Sequence, residues 1–208
     1  YLYDAYELVL PISPAQDPQN KTYLYLPSSD LQLERTLLRG EIMEREGWFH
    51  KLEPIQLSGV ITEKLDTRRD SIRELNEMCR SIHQLSHADR AKLDAAVEYT
   101  HAKTARQIRQ VTEHLDQFDF APGVHTPEEY GRYMIRDSGH FDYDSNLDEF
   151  YDYGKYGRQH LEQSQGMFTE QGYISYHGIL SLETLMKEAP TEQFQEEQGE
   201  DLEMGGLT

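Results

Sequence analysis

The chain of 208 residues carries 38 acids against 20 bases, a formal net charge of −18, and its nine histidines stay mostly neutral near pH 7. That balance excludes nucleic-acid binding through a broad electrostatic footprint, which needs clustered Lys and Arg, and it disfavours anionic membrane surfaces. Aromatic residues make up 11% of the chain, with 14 Tyr, 7 Phe and 1 Trp, which is not the composition of an aromatic-poor disordered chain.

Tyr6-Glu-Leu-Val-Leu-Pro-Ile12 is an apolar run closed by prolines and predicts a strand. A loop rich in Pro, Asp and Asn, Ser13 to Asn20, leads to a second strand from Thr22 to Leu26, ended by Pro27. Ser28-Ser29-Asp30 supplies the N-cap for a short helix, Leu31 to Arg39, stopped by Gly40. Trp48, Phe49, Leu52, Ile55, Leu57, Val60 and Ile61 are expected to add a third strand and core. Residues 1–65, with 10 acids and 6 bases, therefore read as a small α+β module.

Residues 66–118 hold 9 acids and 9 bases and contain neither Pro nor Gly. Ile72, Leu75, Met78 or Cys79, Ile82 and Leu85 recur at helical spacing, and Ser86-His-Ala-Asp89 opens a second helix. In that helix Leu93, Val97, Thr100, Thr104, Ile108, Val111, Leu115 and Phe118 step by three or four, which predicts a helical hairpin or part of a small bundle. Cys79 is the single cysteine, so an internal disulfide is excluded, and its place in the apolar stripe favours a buried structural thiol.

The last part, 119–208, has 19 acids and 5 bases and so holds most of the excess charge. Ala121-Pro-Gly123 makes a break. Thr126-Pro127-Glu128-Glu129 then gives an N-cap, a proline at the first helical position and a capping-box glutamate. This helix carries Tyr130, Tyr133 and Met134 and ends near Ser138-Gly139. A further helix from about Leu147 carries Phe150, Tyr151, Tyr156 and Leu161, although Gly154 and Gly157 weaken its signal. Met167 to Thr169 and Gly172 to Tyr176 read as strands. From Glu188 onward, seven acids and no base predict a flexible tail. The expected fold is α+β: an elongated, multi-domain chain with small modules at both ends (1–65 and 119–187), a helical middle (66–118) and an acidic tail (188–208). No apolar run approaches the roughly 18 residues of a membrane span, and no secretion signal stands at the start, so a cytoplasmic location is expected.

Motifs of catalysis and metal binding are absent or broken. His83 and His87 have the spacing of two zinc ligands, but Ser86 caps the next helix between them and Gln84 stands where a metalloprotease needs glutamate. Asp142-x-Asp144-x-Asn146 opens like a calcium loop, yet the required Gly is Leu147 and the required Glu is Tyr153. No P-loop, nucleophile elbow or dinucleotide fingerprint occurs, so the chain is not expected to be an enzyme or to hold a cofactor or metal. What stands out is a run of eight acids (Glu128, Glu129, Asp137, Asp142, Asp144, Asp148, Glu149 and Asp152) against Arg132 and Arg136. It reads as a solvated face that aids solubility, or as an imitation of nucleic acid. Carboxylates three or four residues apart on a helix stand about 5–6 Å from one another, comparable with phosphates along a DNA strand. Such an array would bind a basic groove with the counterion release and steep salt dependence of DNA itself.

Phe150-Tyr-Asp-Tyr-Gly-Lys-Tyr-Gly-Arg158, followed by Gly166-Met-Phe-Thr169 and Gly172-Tyr-Ile174, resembles the closing signature of ArdA-type antirestriction proteins, in which an acidic-aromatic helix leads into an F-T-x-x-G-Y strand. Pro127-Glu-Glu-Tyr-Gly-Arg-Tyr-Met134 occupies the place of the helix upstream, and the Tyr6 strand that of the opening strand. The resemblance is concentrated in residues 119–177. It implies a non-enzymatic DNA mimic, an elongated acidic homodimer that occupies the DNA-binding groove of type I restriction-modification enzymes and protects incoming plasmid or transposon DNA. The candidate contact groups are then the eight carboxylates above together with Glu162 and Glu170, while Lys155 and Arg158 are expected to pair with neighbouring acids. The alternative is an accessory protein of a mobile element that binds another basic, DNA-binding partner.

Overall fold

The computed structural model describes residues 2–43 and 46–187. After a 3-10 turn, Leu2–Ala5, the opening apolar run forms β1 (Leu8–Ser13), every residue of which is buried. It pairs antiparallel with β2 (Thr22–Leu26), from Leu8 opposite Leu26 to Ile12 opposite Thr22. Helix α1 (Asp30–Arg39) begins where the Ser29 hydroxyl accepts the Gln32 N–H, and stops at Gly40, whose N–H returns to the Thr36 and Leu38 carbonyls. The expected third strand is two pieces, β3 (Trp48–Phe49) and β4 (Glu53–Pro54), both on the other edge of β1. Val60 and Ile61 fall instead in α2 (Gly59–Thr62), capped by Ser58.

The middle contains three helices where the periodicity suggests two. α3 (Ile72–His83) starts with a reciprocal capping box between Ser71 and Glu74, and α4 (His87–Thr100) starts at Ser86. The chain then leaves the helix at His101, which is left-handed at φ 54°, and Thr104 caps α5 (Ala105–Glu113) by accepting the Gln107 N–H. The stripe hid this break because Thr100 and Thr104 are in register while only Thr100 is helical. Histidine enters the left-handed region more readily than most residues, so neither Gly nor Pro marks the corner. Past a 3-10 turn, Leu115–Gln117, the residue expected to end that stripe, Phe118, begins β5 (Phe118–Pro122).

Helix α6 (Pro127–Arg132) runs into a π-helical turn, Tyr133–Asp137, and the chain turns at Gly139 with φ 75°. The single helix expected from Leu147 is a 3-10 segment, Ser145–Phe150, followed by α7 (Tyr153–Ser164), because the Asp152 carboxylate caps the second piece through the Lys155 N–H. β6 (Met167–Phe168) and β7 (Gly172–Tyr176) complete a second antiparallel sheet in the order β5-β7-β6, and α8 (Leu182–Met186) follows.

The architecture is α+β. One cluster of buried side chains runs from Leu8, Leu10, Leu24 and Leu26 of the first sheet, through Leu75, Met78, Leu93 and Ile108 of the middle helices, to Phe118 and Ile174 of the second sheet. A smaller cluster of Ala121, Val124, Tyr130 and Tyr173 lies under α6. Among the described residues no helix is long and apolar enough to cross a membrane. The acidic segment 188–208 lies outside the described residues.

Candidate functional site

The acidic region is built on the crossing of α6 and α7, and two glycines set its closeness. A Cβ on Gly131 would collide with the Tyr153 carbonyl, and one on Gly157 with the Pro127 carbonyl. Gly157, one of the two glycines that weaken the helical signal in the sequence, is therefore, with Gly131, what lets the two backbones meet. The crossing sets Pro127, at the start of α6, against Gly157 and sets Gly131 against the start of α7, so Glu128 and Glu129 in the first turn of α6 and Asp152, the N-cap of α7, fall in one region. Carboxylates at helix N-termini are stabilised by the exposed backbone N–H groups.

Glu128 and Glu129 lie in the first turn of α6, Asp137 at the end of the π turn, and Asp142 and Asp144 in the loop beyond. Asp148 and Glu149 are in the 3-10 segment, Asp152 caps α7, Glu162 is near its end, and Glu170 is in the turn between β6 and β7. All ten are exposed except Asp148, which is half-buried. The ten divide by what they do. Glu128 pairs with Arg132 at 3.4 Å, Asp144 accepts the Asn146 N–H at 2.9 Å, and Asp152 accepts that of Lys155 at 2.9 Å. Glu129 does not close its box on Thr126 but accepts the N–H of the preceding residue, His125, at 2.7 Å. Asp137, Asp142, Glu149, Glu162 and Glu170 have no side-chain hydrogen bond or ion pair among the described residues.

Asp148 is the centre of a clasp. It accepts hydrogen bonds from the hydroxyls of Tyr153 and Tyr143, the latter at 2.7 Å, and stands 4.0 Å from the Arg136 guanidinium. Arg136 lies over the Tyr143 ring and Arg132 over the Tyr153 ring, at 5.3 and 5.1 Å from the centroids. The two tyrosine hydroxyls, and then the Arg136 charge, hold the Asp148 carboxyl below the usual carboxylate range. Burial and the same carboxylate push the Tyr153 hydroxyl well up. Asp148 is thus spent on joining the π turn, the 3-10 segment and α7.

Three of the ten converge. Glu128, Glu149 and Asp152 line a shallow depression of about 470 Å³, together with Phe150, Tyr151 and Arg158. Phe150 is 76% exposed there. Glu129 and Glu170 lie elsewhere and are linked only through His125, whose N–H donates to the Glu129 carboxylate and whose Nε2 donates to the Glu170 backbone carbonyl at 2.8 Å. The expectation that Lys155 and Arg158 pair with neighbouring acids fails: neither has an ion pair among the described residues. Arg132 and Arg136, one and two helical turns beyond Pro127, take those roles, while Arg158 lies over the open position at Gly154.

Other polar residues find structural uses. His83 donates from Nδ1 to the buried Glu7 carboxylate at 2.8 Å, and His87 opens α4, so the two do not share a helix face. Among the described residues no group of three potential ligands could hold a metal ion. Asp119 lies outside the acidic run that the sequence shows between Glu128 and Asp152. It is an exposed β5 residue and accepts from His177 Nδ1 at 2.9 Å.

Residues 23–175, from β2 to β7, match the family model described as Antirestriction protein (ArdA). None of the curated proteins compared with the chain matches it.

Proposed function

Because the chain belongs to the ArdA family of antirestriction proteins, we propose that its exposed carboxylates between Glu128 and Glu170 stand in for DNA phosphates in the DNA-binding groove of type I restriction-modification enzymes. In this reading the protein acts in the cytoplasm as a homodimer and protects incoming mobile DNA. The observation that carries it is the division of the acids. A face that served only as an internal scaffold would spend its carboxylates on caps and ion pairs, and five of these ten are not so spent. Glu128, Glu149 and Asp152 add a concentrated patch of negative charge held by the close crossing of α6 and α7. Carboxylates presented on rigid elements need little reordering on binding, which lowers the cost of association.

The test uses the purified full chain, a type I enzyme and a labelled duplex carrying its recognition sequence. Titration at low salt is expected to displace the duplex competitively, with the displacement fading as salt rises. Several type I enzymes that keep full DNA binding and cleavage at low salt in excess protein would overturn the proposal.

A further inference from the structure

Away from the acidic depression, a cleft of about 330 Å³ lies between the second sheet and α6 with its π turn. That volume is at the small end of ligand sites, which run from about 300 to 1,000 Å³. Phe120, Tyr130 and Tyr173 line it, and the Tyr130 and Tyr173 rings meet edge to face at 4.9 Å. The Tyr173 hydroxyl is engaged by Ser164 and by the Gly166 N–H. Tyr130 differs: it is only 8% exposed, yet its hydroxyl has no hydrogen-bond partner among the described residues. The π turn supplies Tyr133 and Met134 to the wall, and such turns are frequent at functional sites. His140 and His177 are also among the lining residues. Each has Nδ1 engaged, by Ser138 at 2.8 Å and by Asp119 at 2.9 Å, and neither has a protein partner on Nε2 among the described residues.

We infer that this cleft binds a small, uncharged, planar heteroaromatic molecule of the nucleobase or nucleoside class. The aromatic walls offer stacking to a flat ring. The Tyr130 hydroxyl and the two imidazole Nε2 atoms, none with a protein partner among the described residues, are open to a polar edge of the ligand, which a pure hydrocarbon would leave unused. A phosphate is disfavoured by the exposed Asp119 and by the surrounding block, 12 acids against 5 bases over residues 119–187. The inference stands independently of the DNA-mimic reading.

The test titrates the full chain with adenosine, thymidine and their 5′-monophosphates, followed by ligand-observed NMR and calorimetry. At least one nucleoside is expected to bind saturably, and more tightly than its own monophosphate. Tyr130→Phe removes a hydroxyl that has no hydrogen-bond partner among the described residues, so its melting temperature is expected to stay unchanged while affinity falls about three- to tenfold. Tyr133→Ala, which removes a half-buried wall of the cleft, is expected to weaken binding as well. The inference is overturned if none of the four probes saturates, if a monophosphate binds better than its nucleoside, or if both variants keep full affinity.

Discussion

Glu7 directly precedes β1 with its side chain wholly buried, and such a carboxylate persists only when paired and hydrogen-bonded. Arg90 of α4 grips it with two bonds, at 2.6 and 2.8 Å, and His83 of α3 adds a third, so one residue ties the first sheet to two middle helices. Burial pushes the Glu7 carboxyl up, but the bonds from Arg90 and His83 and their charges outweigh it, and the net shift is downward. A depressed carboxyl contributes stability above the ordinary carboxylate range and loses it as pH falls through the lowered value. Glu7→Gln is therefore expected to cost about 3–5 kcal/mol at neutral pH, because Arg90 is left facing a neutral amide. Urea unfolding at pH 7 and across the acid range measures both effects; the gap between variant and wild type should shrink as pH falls. Cys79, at 0% exposure, has its thiol pushed far up by burial. Iodoacetamide is expected to leave it unmodified in the folded protein and to label it in urea.

At the scale of elements, the crossing of α6 and α7 depends on Gly131 and Gly157. Gly157→Ala drives a methyl group into the Pro127 carbonyl, which is backbone and has little room to yield. A cost of at least about 1–3 kcal/mol is expected, with the loss concentrated in the second sheet and its helices and visible as faster amide exchange there. Much of the element order was legible in the sequence. β2 and α1 follow from apolar runs and turn residues, and Ser29, Ser86 and Thr126 all cap helices as their spacing suggests. The corner at His101–Thr104 was not legible, since it breaks no hydrophobic register and uses no glycine. β5 was hidden because Phe118 fits the preceding helical stripe, and a five-residue strand carries too little pattern to outweigh it. Gly131 and Gly157 had no visible purpose until a second helix was seen against them.

At the scale of the molecule, charge and core are divided unequally. The buried cluster passes through both sheets and the middle helices, whereas most of the excess negative charge lies past Phe118. The sequence alone located that charge but could not say which acids are occupied. Asp142 and Asp148 look alike in the acidic run. Only the meeting of Tyr143, Tyr153 and Arg136 on Asp148 shows that it is a fastening, while Asp142 has no side-chain partner among the described residues. If the acids act as phosphate substitutes, their position must matter more than their number. The most direct measurement is the salt dependence of the affinity for a type I enzyme, compared between two triple variants of equal charge. Glu128→Gln/Glu149→Gln/Asp152→Asn is predicted to lose at least about tenfold in affinity at low salt and to flatten the log–log salt slope by about 2–3. Glu34→Gln/Glu53→Gln/Glu63→Gln, which neutralises exposed acids of the N-terminal part, is predicted to stay close to wild type. Equal losses in the two variants, or none in either, would contradict the assignment of a DNA-like surface to this region.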